Sequence, residues 1–136
     1  MAKVSFVGFQ EKVEIPEGFQ LLQIEERLES KKSRDDLYSL LSDSKQLSQW
    51  LNEVQSFNSR PGGKMIFTDG SEATCTSFLL GKEVSLISDY FGNFNCKVVK
   101  GRDLNSLELN FSILSDDVES KTGEILIIIE RLKKLL

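Results

Sequence analysis

Histidine is absent from all 136 residues. That absence removes Ser-His-Asp and Cys-His nucleophile systems, imidazole acid–base catalysis and histidine-based zinc sites. Two thiols remain, Cys75 and Cys96, and no CxxC joins them. Two isolated cysteines without histidine make a poor metal site, so they read as buried, reduced thiols. One carboxylate draws attention by its place. Glu26 shares a strand face with Leu22, Ile24 and Leu28 in the alternating stretch from Phe19 to Glu29. Facing a cavity it would be functional; the expectation is that a twist or bulge turns it to water.

The elements that position these residues follow from periodicity. Within residues 1–18, an extension of the domain, Val4, Phe6 and Gly8 alternate with Ser5, Val7 and Phe9. Residues 12–15 suggest a second short strand before Pro16-Glu17-Gly18. After the Phe19 strand, Ser33 caps a helix with Asp35 and Asp36 in its first turn and Leu37, Leu40 and Leu41 at helical spacing. Asp43 or Ser44 caps a second short helix carrying Leu47, Trp50 and Leu51.

From Val54 to Leu114, turn signals recur at even intervals: Pro61-Gly62-Gly63, Asp69-Gly70, Gly81-Lys82, Gly92-Asn93 and Gly101-Arg102-Asp103. Such spacing marks an antiparallel meander. Its last strands alternate cleanly, with Leu107, Leu109, Phe111 and Ile113 opposed to Ser106, Glu108, Asn110 and Ser112. The chain then ends in an apolar helix over about residues 124 to 135, capped by Ser120 or Thr122. Its stripe is Ile125, Ile128, Ile129, Leu132, Leu135 and Leu136. A sheet with one dry face must cover that face. The terminal helix is the one long apolar element left to do so. The reading is therefore a single α+β domain over residues 1–136, a helix-grip of about six or seven strands curled around a C-terminal helix.

Composition agrees with a globular chain: 40% hydrophobic, 28% charged, net charge −4. The acidic balance and scattered lysines argue against nucleic acid. The longest apolar run, 125–129, is far too short to span a membrane, and no signal peptide is visible, so the expected location is the cytoplasm.

The run Asp36-Leu-Tyr-Ser-Leu-Leu-Ser-Asp43, then Leu47-Ser-Gln-Trp50, then Arg60-Pro-Gly-Gly-Lys-Met-Ile-Phe67 and Asp69-Gly70 resembles a known family. It is similar to the branch of START-related (SRPBCC) proteins that are homologues of the activator of heat-shock-protein-90 ATPase. The similarity covers about Phe19 to Leu114. Two features depart from the pattern: Gly123 is followed by Glu124 rather than tryptophan, and residues 1–18 have no counterpart.

The resemblance implies an apolar cleft between sheet and helix. Its expected lining is Leu22, Ile24, Trp50, Phe67, Cys75, Tyr90, Phe94, Phe111, Ile113 and Ile129. Of these, Trp50 and Tyr90 combine a large apolar body with a polar handle. The implied function is to bind or carry a small hydrophobic molecule without a cofactor or metal. Two alternatives stand beside it: a chaperone-regulating interaction module of the stress response, and a cyclase-like enzyme. The enzyme would have Glu26, Asp89 and Tyr90 as its acid–base groups.

Overall fold

The structure, a computed structural model, describes residues 3–7 and 16–136. Its elements are β1 (Lys3–Val7), β2 (Gln20–Ser30), α1 (Arg34–Ser42), α2 (Ser44–Trp50), β3 (Val54–Phe57), β4 (Lys64–Phe67), β5 (Glu72–Leu79), β6 (Glu83–Ser88), β7 (Gly92–Val99), β8 (Asn105–Ser115) and α3 (Val118–Lys133). The strands form one eight-stranded antiparallel sheet in the order β1-β2-β8-β7-β6-β5-β4-β3. This is the helix-grip expected from the meander, with β1 added beside β2. The strand suggested for residues 12–15 lies outside the described residues.

One pairing joins strands distant in sequence, β2 with β8. The two pair over their whole length, from Gln20 opposite Ser115 to Ser30 opposite Asn105, without a shift in register. The other strands form a hairpin ladder whose register slips between Val54 and Ser56 and again between Cys75 and Ser77. Bulges of this kind sharpen local twist and bend a sheet. The Pro61-Gly62-Gly63 turn continues the ladder onto β5: Gly62 N donates to the Cys75 carbonyl (2.7 Å) and Cys75 N to the Gly63 carbonyl (2.8 Å).

The helices begin where local chemistry allows. Ser33 Oγ accepts from Asp36 N at 3.1 Å to start α1, and the Asp43 carboxylate accepts from Lys45 N at 3.3 Å to start α2. α3 starts earlier than its apolar stripe, at Val118. The Asp117 carboxylate caps it by accepting from Ser120 N at 3.1 Å, in place of Ser120 or Thr122. Glu119 in its first turn and Arg131 and Lys133 in its last suit the helix dipole.

Ile125, Ile128, Ile129 and Leu132 of α3 are buried, as the stripe requires. α3 packs against β2 and α2, while α1 lies over β6, β7 and β8. One contiguous core joins the concave sheet face to all three helices.

Candidate functional site

The concave face is set by register. Phe94 of β7 lies opposite Phe111 of β8, which lies opposite Ile24 of β2, so three strands bring their inward residues into one row. Rings extend that row. The centroids of Phe94 and Phe111 are 4.8 Å apart, those of Phe94 and Phe91 5.8 Å, and those of Phe94 and Trp50 6.1 Å. Of the expected lining residues, Leu22, Ile24, Trp50, Phe67, Cys75, Phe94, Phe111, Ile113 and Ile129 are all buried in this core. They fill the space between sheet and helices with their own side chains.

Trp50 is fully buried, and its polar handle is used within the fold. The indole Nε1 donates to the Leu40 carbonyl at 2.9 Å. Leu40 lies in the last turn of α1, where carbonyls have no partner further along the helix. The tryptophan therefore fixes α2 against α1 while packing on Phe94.

Tyr90 does not join the others. It sits in the β6–β7 turn, 37% exposed, with the Lys121 ammonium 5.3 Å from its ring centroid. Lys121 Nζ also donates to the Tyr90 carbonyl at 3.0 Å. Asp89 is exposed in the same turn. The three acid–base candidates are thus separated, since Glu26 lies toward the other end of β2.

Glu26 itself overturns the expectation that it faces water. It is buried, 5% exposed, on the concave face. The reason is the unbroken register of β2 on β8: with no bulge, residue 26 keeps the inward phase of Leu22, Ile24 and Leu28. Lys133, in the last turn of α3, brings its ammonium to 3.9 Å from the carboxylate. The pairing is not legible in the sequence, where Lys133-Lys134 reads as a solvated chain end.

Both cysteines are buried and free. Burial pushes both thiols above their ordinary range. For Cys96 the carboxylates of Glu108 and Glu83 add to the rise; for Cys75 a hydrogen bond with the Ser77 backbone opposes it. β6 separates their strands: Cys75 pairs with Leu86 and Cys96 with Val84. Among the described residues no group of three His, Cys, Asp or Glu could hold a metal ion. None of the described helices is long and apolar enough to cross a membrane.

The open relief of the molecule lies on the other face of the sheet. A trough of about 1030 Å³ crosses the strands there. Its floor is a single register row: Gln23, Ser112, Asn93, Ile87, Thr74 and Lys64, one residue from each of six strands. Tyr90 and Ile113 border it. These outward residues read in the sequence as the wet half of an alternating pattern, which carries no signal of a groove.

At the level of sequence, no family profile and no curated protein matches the chain. Solved structures do match its fold. CalU16 from Micromonospora echinospora superposes with a TM-score of 0.63 at 14% identity, covering 97% of this chain and 83% of that one. EF2215 from Enterococcus faecalis, a protein of unknown function, gives 0.65 at 15% identity, covering 98% and 76%. The Aha1 dimer from Colwellia psychrerythraea gives 0.60 at 14% identity, covering 84% and 95%. Likeness at this level of identity concerns the fold, and the fold of this chain is the START-like helix-grip.

Proposed function

We propose that the chain is a binding module rather than an enzyme. Its ligand is a small, largely apolar molecule with one hydrogen-bonding end, seated on the concave face beneath α3. The observation that carries this reading is Glu26. A carboxylate on an otherwise apolar face adds little to packing and costs several kcal/mol in desolvation. Lys133 approaches the carboxylate to 3.9 Å from the last turn of α3, which fixes where the polar group stands on that face. The arrangement matches a general design for small-molecule sites, an apolar wall with one or a few polar groups that fix orientation. Trp50, Phe67, Phe94, Phe111, Ile113 and Ile129 supply the wall. Asp89 and Tyr90 stand at the far turn, so no second acid–base candidate from the sequence shares the face with Glu26.

Those wall residues occupy the site in the ligand-free chain. A ligand therefore binds an opened conformer in which α3 moves off β2, and its apparent affinity is lowered by the population of that conformer. The test follows Trp50, the one tryptophan. Fatty acids, sterols and flat aromatic molecules are titrated against its emission, in the native chain and in Glu26→Leu. The expected result is a saturable shift with one of these classes, weakened at least several-fold in Glu26→Leu, which melts at higher temperature than the native chain. A flat response across all three classes overturns the reading.

The outer trough favours a second reading, an interaction module like the chaperone regulators that the sequence resembles. Its row across six strands, four of them contributing an amide or hydroxyl side chain beside Ile87 and Lys64, suits an extended peptide. A flat titration combined with saturable peptide binding that Asn93→Asp weakens would select it.

A further inference from the structure

Strand direction sorts the charges of this chain in a way that sequence order hides. β2, β3, β5 and β7 run toward one end of the sheet, and connections 31–33, 58–63, 80–82 and 100–104 leave them there. α3 finishes at the same end, where Ser30 Oγ donates to the Leu136 carbonyl at 3.5 Å. These segments are tied to the strands beside them. The Asn105 amide donates to the Lys32 carbonyl (3.0 Å) and accepts from Gly101 N (3.3 Å), while Val98 N donates to the Lys82 carbonyl (2.7 Å). Together with residue 134 they carry seven cations, Lys31, Lys32, Arg60, Lys82, Lys100, Arg102 and Lys134, against one acidic side chain, Asp103. The described connections at the opposite end, 16–19, 51–53, 68–71, 89–91 and 116–117, carry six carboxylates and no cation.

Two leucines stand out at the cationic end. Leu79 and Leu80 close the β5–β6 hairpin at 52% and 82% exposure, the two most exposed positions in this end's apolar surface. Apolar side chains held in water at the end of the sheet that carries the cations match one kind of surface. An anionic bilayer offers negative headgroups to the cations and an apolar layer a few ångströms below for the leucines. A nucleic acid offers the charge without the apolar layer.

We propose that this end of the molecule docks on an anionic lipid surface, with Leu79 and Leu80 entering the boundary between headgroups and acyl chains. The six carboxylates at the other end then face away from the membrane. That orientation lets a chain of net charge −4 approach a negative surface. The proposal stands on the surface of the folded chain and is independent of any ligand on the concave face.

The test is co-sedimentation of the full chain with phosphatidylcholine vesicles, with and without phosphatidylglycerol, at low and high salt. Binding is expected with the anionic vesicles at low salt. Lys82→Gln and Lys100→Gln should each weaken it about five-fold, and Leu80→Ser should weaken it several-fold with no change in salt dependence. All three changes are in exposed turns, and unchanged far-ultraviolet circular dichroism verifies the fold. Failure to bind anionic vesicles overturns the proposal, as does equal binding to neutral ones. So does anionic binding that Leu80→Ser leaves intact, a result that equal affinity for duplex DNA would assign to charge alone.

Discussion

Cys96 shows how a single buried atom is tied to the behaviour of the whole fold. Its side chain has no exposed surface, and burial together with Glu108 and Glu83 raises the thiol well above its ordinary value of 9.0. In the unfolded chain the thiol ionises near pH 8.5. Between these limits the unfolded state releases a proton that the folded state keeps, so stability falls as pH rises. The sign is the reverse of a paired carboxylate, whose contribution is lost on acidification. Urea unfolding should therefore give constant stability from neutral pH to about pH 8.5 and then a loss approaching about 1.4 kcal/mol per pH unit from this thiol. Cys75 and Tyr38, also raised by burial, steepen the loss. Cys96→Ala should lower stability at every pH and make the alkaline slope shallower. An unchanged slope would show that Cys96 ionises alike in both states. The burial of Cys96 was legible from its alternation with Asn95 and Lys97, whereas the phase of Glu26 was not. A polar residue in an apolar set reads as a break in register until the partner strand shows that the register is intact.

At the scale of elements, turns and caps decide where pattern begins and ends. α3 extends six residues before Glu124, because Asp117 supplies the cap and Val118 the first apolar contact. Periodicity missed this turn: residues 119–124 contain no apolar residue, and Gly123 reads as a breaker. The structure places Gly123 inside the helix, with nothing within 4 Å of where a Cβ would stand. Gly92 is the opposite case. Its φ is +67°, and a Cβ there would strike the Ser112 carbonyl oxygen and come within 2.6 Å of the Ile113 Cβ. Gly123→Ala should raise stability by about 0.5–1 kcal/mol through helix propensity and a less flexible unfolded chain. Gly92→Ala should lower it by more than that gain, since strained backbone adds about 1–3 kcal/mol to the clash. Matched urea midpoints with unchanged m values would measure both. Equal effects of the two substitutions would contradict this account of the turn and the helix.

The whole molecule depends on one covering act. β2 and β8, the two longest strands, turn Leu22, Ile24, Leu28, Leu107, Leu109 and Phe111 inward, and α3 closes over β2. This was readable in the sequence because a dry sheet face and one remaining apolar helix leave a single way to combine them. The sorting of charge to opposite ends was not readable, because it arises from strand direction and the cations are spread along the chain. Ile125, Ile128, Ile129 and Leu132 are each at most 1% exposed. At about 1.5–3 kcal/mol for each buried side chain, the four contribute roughly 6–12 kcal/mol, comparable to the entire net stability of an ordinary domain. Removing residues 124–136 should therefore abolish cooperative folding rather than merely weaken it. The expected product keeps part of its far-ultraviolet circular dichroism, loses its near-ultraviolet signal and binds a hydrophobic dye at the uncovered face. A truncated chain that still melts in one sharp transition, with calorimetric and van't Hoff enthalpies equal, would show that the sheet and the first two helices close a core without α3.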